Sequence, residues 1–213
     1  MRRLSYAMPM KLYMHPLSTN ARRARLVVHH LGLTVEEELI DLAKGAQRQP
    51  AYLALNPNGK VPTLVDGDLK LNECYAIMIY LSEKTGRREL YPDELATRTD
   101  IHRWLFWSAN EWGPTIGRLT FENMLKPMLG HGNPDPARVQ ETEATFKQQA
   151  SVLDAHLAGR EYVVGSRLSL ADLALAGGLS HLVPAKLPLA GFANIVAWFE
   201  RMQKLPAWAA TAK

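Results

Sequence analysis

The stretch Asn56-Pro57-Asn58-Gly59-Lys60-Val61-Pro62-Thr63-Leu64 (NPNGKVPTL, residues 56–64) opens as a surface turn and closes as a buried strand. Two prolines, a glycine and a lysine mark the turn, and apolar Val61, Leu64 and Val65 mark the strand. Pro62 stands at the strand's mouth, where its missing N–H removes a ladder bond. Downstream, Thr63-Leu64-Val65, the glycine turn Asp66-Gly67-Asp68, and Leu69-Lys70-Leu71 read as a β-hairpin. Asn72 offers a cap for a helix through Ala76, Ile77, Ile79, Tyr80 and Leu81, which Gly86 ends.

Upstream, Lys11–His15 reads as a strand halted by Pro16. A helix follows from Ser18-Thr19-Asn20, three good cap types, with Ala24, Val27, Val28 and Leu31 on one apolar face and Gly32 past its end. Val35–Leu42 reads as a second strand whose edges the run Glu36-Glu37-Glu38 blurs, and residues 47–55 are weakly helical. The order βαβ then ββα describes an α/β domain.

Beyond Pro92 the strand signal fades. Leu95 to about Leu129 is a long helical stretch, expected to bend near Gly113-Pro114. Residues 130–136 form a loop, and Phe146, Ala150, Leu153 and Leu157 mark the next helix, closed by Gly159. Ser169 starts another, and further helices run through Phe192–Gln203 and after Pro206. The expected division is a flexible leader at 1–9, the α/β domain at 10–86, a linker at 87–93 and an all-helical domain at 94–213.

Composition is that of an ordinary folded chain, 47% hydrophobic and 22% charged, with no repeat and no apolar run near the roughly 18 residues that cross a bilayer. One cysteine, Cys74, excludes an intrachain disulfide and fits a reducing cytosol. Residues 1–92 hold 13 Lys/Arg against 9 Asp/Glu, and residues 93–213 hold 12 against 12, so the net charge of +4 lies in the first part. So small an excess suits a small anionic ligand at least as well as nucleic acid. The histidines lack ligand-like spacing for a metal, and no phosphate loop, Ser-His-Asp motif or dinucleotide fingerprint occurs.

NPNGKVPTL followed by LNECYAIMIYL (71–81), joined to a helical domain with GSRLSLADLAL (165–175), resembles the cytosolic glutathione transferases from about Met10 to Trp208. The resemblance implies a thioredoxin-like N-terminal domain, glutathione as co-substrate without a metal, a homodimer in the cytoplasm, and no nucleic-acid or membrane partner. It implies a cis bond before Pro62 and a Val61 backbone that pairs with the cysteinyl part of glutathione. Glu73-Cys74 would hold the γ-glutamyl end at a helix N-terminus. Relatives carry serine where this chain has Cys74; a thiol donates weakly, and two states stay open for it, a thiol activated by the helix terminus and a buried small hydrophobe. Gln47, Arg48 and Lys60 would reach the glycine carboxylate.

The chemistry needs a thiolate, since a free thiol is mostly protonated at neutral pH. Lowering a thiol pKa by about two units takes roughly 2.7 kcal/mol, within reach of one charge-assisted hydrogen bond plus a helix dipole. HPLST (15–19) resembles the serine-type classes, which assigns this role to Ser18. From spacing alone Ser18 is a helix cap, and Asn20 is its rival for the sulfur. Arg22, Arg23 and Arg25 read as a solvated helix face. Ser169 and Asp172 form a capping box of structural purpose. A pocket for a small hydrophobic electrophile would draw on Leu17, Trp107, Asn110, Glu111, Trp112 and Thr115, and Asp100 or Arg103 would serve across a dimer interface. The function implied is conjugation of glutathione to such electrophiles. The alternatives are a glutathione-dependent disulfide or peroxide reductase, favoured if Asn20 dominates, and a non-catalytic binding or regulatory relative.

Overall fold

Four short strands form one mixed sheet: β1 (Met10–Met14), β2 (Val35–Leu39), β3 (Thr63–Asp66) and β4 (Leu69–Asn72), in the order β2-β1-β3-β4. The computed structural model describes residues 10–212, so the leader expected at 1–9 lies outside the described residues. Strand β2 runs parallel to β1, and this pairing needs the crossover that α1 (Thr19–His30) supplies. Strands β3 and β4 form the expected hairpin, antiparallel to each other, with β3 antiparallel to β1. Leu12 and Leu64 face each other in register and are fully buried.

The acidic run of β2 is resolved by alternation along the strand. Glu36 and Glu38 meet Lys11 at 3.1 and 2.8 Å, while Glu37 turns to Arg25 at 2.9 Å. β2 ends at Leu39, short of the Leu42 expected. After a 3-10 turn at Ala46–Arg48 comes the single-turn helix α2 (Pro50–Leu53), and α3 (Cys74–Lys84) closes the α/β half. Asn72 does not cap α3. It ends β4, and Glu73 takes the cap position with φ of 67°, a left-handed value uncommon outside glycine.

The remainder is helical: α4 (Leu95–Trp107), α5 (Gly113–Thr120), the short α6 (Lys126–Met128), α7 (Pro136–Leu157), α8 (Leu170–Gly178), α9 (Ala193–Gln203) and α10 (Pro206–Ala210). A π turn at Ser108–Trp112 runs directly into Gly113-Pro114, and a second at Phe121–Leu125 into Lys126-Pro127. Proline has no N–H and its ring strikes the carbonyl one turn back. The wider turn absorbs that conflict where a sharp bend was expected.

Helix α8 is buried along its whole length. Its capping box forms as expected, with Ser169 N and Oγ both donating to Asp172 Oδ2 at 2.9 Å. Asp172 Oδ1 takes Val163 N at 2.8 Å and Trp198 Nε1 at 2.9 Å, tying α8 to α9 and to the loop before it.

The arginines of α1 are not a solvated face. Arg23 and Arg25 are buried, and Arg22 stacks on Trp208 at 4.1 Å. Arg23 Nε donates to the Ala174 carbonyl at 2.7 Å, Arg22 to that of Trp208 at 3.1 Å, and Arg25 to that of Thr211 at 3.2 Å. Helix α1 lies between the sheet and the helical half, so its second face is covered too. The guanidinium forks satisfy carbonyls of α10 and its C-terminal cap and one in the middle of α8, as their planar donor sets suit them to do.

Candidate active site

The NPNGKVPTL loop is braced from inside. Buried Asn56 donates to the Lys60 carbonyl at 2.7 Å and to Thr63 Oγ1 at 3.1 Å, and the Tyr52 hydroxyl also donates to the Lys60 carbonyl at 2.7 Å. Gly59 has φ of +58°, and a Cβ there would stand 3.1 Å from the Gln47 carbonyl, so only glycine lets the loop lie down on residues 46–48. The Val61–Pro62 bond is cis. Val61's N–H and carbonyl take no hydrogen bond among the described residues, while its side chain is buried.

Ser18 caps α1: its Oγ accepts the Ala21 N–H at 3.1 Å. That bond uses the oxygen only, and the hydroxyl proton is committed to no acceptor among the described residues. Ser18 opens onto a cleft of about 490 Å³ lined by Leu17, Leu42, Gln47, Thr120, Met128 and Leu129. The Gln47 Oε1 in its wall is buried without a partner.

Next to this cleft, sharing Thr19 and Gly117 with it, is a hollow of about 280 Å³ lined by Asn20, Arg23, Glu73, Cys74, Tyr75 and Ser108. No side chain caps the first turn of α3 here, so its leading N–H groups and dipole face the hollow uncompensated. Cys74 is buried, and desolvation pushes its thiol up despite the nearby Arg23 charge. Of the two states open to Cys74 in the sequence, burial favours the small buried hydrophobe over a thiol activated by the helix terminus. Arg23 donates to Asn20 Oδ1, and the Cys74 thiol reaches the same oxygen at 3.7 Å. Arginine only donates, so the atom facing it must be the amide oxygen. Asn20 is thus held against α3 and lines the smaller hollow, not the Ser18 cleft.

Of the remaining candidates, Gln47 joins Ser18, and Glu73 joins Cys74. Arg48 and Lys60 are exposed and line neither hollow. Leu17 lines the cleft, but the helical residues expected with it do not. Trp112 is fully buried, stacked on Trp107 at 5.6 Å and on Phe146 at 4.9 Å. Glu111 accepts from Gln149 at 3.4 Å, Thr115 is buried, and Asn110 points to solvent. Asp100 and Arg103 pair with each other on α4 at 2.6 Å. Trp107 precedes the π turn, Asn110, Glu111 and Trp112 lie within it, and only beyond it does the one extra residue rotate the helix face by about 100°. The helical wall of the Ser18 cleft is made instead by Gly117, Thr120, Leu125, Met128 and Leu129, while Ser108, Gly113 and Pro114 line the smaller hollow. Among the described residues no cluster of His, Cys, Asp or Glu is arranged to hold a metal ion, and no helix is long and apolar enough to cross a membrane.

Residues 8–83 match the family model of the glutathione S-transferase N-terminal domain, and residues 115–206 that of the C-terminal domain. Glutathione S-transferase 3 of Zea mays is 36% identical, with 95% of this chain and 93% of that protein covered. Glutathione S-transferase F10 of Arabidopsis thaliana is 33% identical, covering 91% and 92%. Among solved structures, glutathione S-transferase-I bound with lactoylglutathione is 30% identical with a TM-score of 0.87, covering 96% of this chain and 98% of that one. Glutathione S-transferase III in apo form is 36% identical with a TM-score of 0.83, covering 95% of each chain. The chain belongs to the glutathione S-transferase family and is itself a glutathione transferase.

Proposed function

We propose that the protein binds glutathione across the two hollows, holds its sulfur as a thiolate at Ser18, and adds it to a small hydrophobic electrophile in the larger cleft. The observation that carries this reading is the state of Ser18. Its oxygen is engaged by the helix cap, its proton is uncommitted, and it sits at a positive helix end beside an apolar cavity. Capping and catalysis therefore do not compete, because they use opposite ends of one hydroxyl.

The rest of the tripeptide follows from charge and from open backbone groups. The leading amides of α3 suit a carboxylate, and the exposed Glu73 carboxylate suits the ammonium beside it. The unpaired N–H and carbonyl of Val61, just before Pro62, suit a peptide segment laid alongside. Gln47, whose oxygen lacks a partner, would orient the glycine end, with Lys60 and Arg48 supplying positive charge. The solved relative bound with lactoylglutathione supports a glutathione-derived ligand for this fold. Asn20's engagement with Arg23 and Cys74 speaks against the reductase reading, which leaned on it.

We assign the glutathione-binding part to residues 10–86, the linker to 87–93 and the helical part to 94–213. We further propose a cytoplasmic homodimer, for which the exposed Leu95 and Phe106 of α4 offer apolar surface. Sedimentation of Phe106→Glu tests that surface, and an unchanged dimer would remove Phe106 from it. The test of mechanism is a titration of the thiolate absorbance of enzyme-bound glutathione. Ser18→Ala is expected to raise the bound thiol's pKa by about one to two units. An unaltered pKa would refute the role given to Ser18.

A further inference from the structure

Thr120, at the end of α5, is 5% exposed, lines the Ser18 cleft, and has an Oγ1 that is buried without a hydrogen-bond partner. Other hydroxyls in similar settings bond back to the carbonyl one turn earlier. Ser82 reaches Met78 at 3.0 Å, Thr142 reaches Arg138 at 2.7 Å, and Thr211 reaches Ala207 at 2.9 Å. An orphaned buried hydroxyl costs stability, and a valine of the same shape would not. In an apolar cavity, such a donor is worth keeping if the cavity's occupant completes it.

We propose that Thr120 is a specificity-determining residue that selects electrophiles carrying a hydrogen-bond acceptor conjugated to the carbon the sulfur attacks. The inference rests on the reading that Ser18 holds the thiolate in this same cleft. The role requires the buried hydroxyl to turn into the cleft by rotation about χ1, exchanging places with the methyl. With an α,β-unsaturated ketone, the sulfur lone pair forms the C–S bond at the β-carbon. The alkene's π pair moves through the conjugated system to the carbonyl oxygen, leaving an enolate. Thr120 O–H donates to that oxygen as its charge grows, in a low-dielectric site where such a donor counts most. A solvent proton then closes the α-carbon, balancing the proton lost when the thiol ionised. An apolar halide such as benzyl chloride has no such acceptor: the C–S bond forms, the C–Cl bond breaks, and chloride leaves.

The experiment compares kcat/KM for an α,β-unsaturated ketone with that for benzyl chloride in the full-length enzyme. Thr120→Val is expected to lower the ratio of ketone to halide by about 10-fold or more, and Thr120→Ser to restore it. A ratio that holds in Thr120→Val, or that Thr120→Ser fails to restore, overturns the proposal. Thermal unfolding of Thr120→Val should come no lower than that of the parent, since the hydroxyl satisfies nothing in the folded chain. A marked fall would assign Thr120 a structural role instead. Ser18→Ala, run on the same two substrates, should depress both reactions together. If it depresses neither, the Ser18 reading fails, and the Thr120 ratio still reports on its own.

Discussion

The Cys74 thiol lies 3.7 Å from Asn20 Oδ1, joining the first turn of α3 to the first turn of α1 at the floor of the smaller hollow. Serine would make this bond shorter and stronger, because a hydroxyl is the better donor. Cys74→Ser is expected to lower the KM for glutathione by about 5-fold, the worth of roughly 1 kcal/mol, with kcat little moved. Steady-state kinetics with glutathione varied would show it, and a KM that rises would mean the thiol is already the better partner.

Burial holds Cys74 protonated, so its chemistry should be that of an inert thiol. Labelling by a disulfide reagent in the native state should be slow and should keep climbing with pH above the ordinary thiol range, with no plateau near neutrality. The denatured chain should label once, at its single cysteine. Fast native labelling at neutral pH would mean that the helix terminus does activate it.

Arg23 is accommodated by the glycine pair on α8. A Cβ at Gly177 would stand 2.6 Å from Arg23 Cγ, a position too near the backbone to swing aside easily. Gly177→Ala should therefore destabilise by about 1–3 kcal/mol through overpacking, lowering Tm by roughly 2–12 °C for a chain of this size. Adding Arg23→Ala removes the clashing atom, so the double variant should lose less than the sum of the two singles. Strict additivity would show that the two residues do not compete for this space.

Where local chemistry decides the outcome, the sequence was enough. Gly32, Gly67, Gly86 and Gly159 each sit at the left-handed position expected of them, and Ser169 with Asp172 forms its box. The α/β half and the Ser18 cap were legible for the same reason. The errors lie where a second surface covers a first. Arg23 and Arg25 look solvated until the helical half closes over α1, and a periodic pattern cannot report a partner more than a hundred residues away. Trp107 and Trp112 read as pocket residues by resemblance, whereas Trp112, the last residue of the π turn before Pro114, is fully buried and stacks on Trp107 and Phe146. Thr120 went unseen because its phase depends on that same turn.

His30 supplies a pH dependence with a defined sign. Burial is the main cause that lowers its pKa, with Glu89 opposing the shift and Arg87 adding to it. The folded state thus resists protonation that the unfolded chain accepts near pH 6.5. Stability is present above that value and is lost as pH falls through the folded pKa. Thermal unfolding should show a decline from pH 7 to pH 5 that is shallower in His30→Gln. An identical slope in the two proteins would remove His30 from the acid limb.

Asp172 carries the strongest expectation for stability, because four donors converge on one fully buried carboxyl group. Burial pushes this group above the usual carboxylate range, and the donors oppose that shift. Asp172→Ala would strand the N–H groups of Val163, Ser169 and Trp198 in the interior. The cost should be about 3–5 kcal/mol, the range for breaking a buried polar network by removing one partner. Asp172→Asn keeps the shape but turns an N–H toward donors, so it should cost less than alanine and more than nothing. Urea unfolding at constant m-value, with midpoints in the order parent, Asn, Ala, checks this directly. Should the alanine variant unfold with the parent's midpoint, the box would be capping one helix and holding nothing else together.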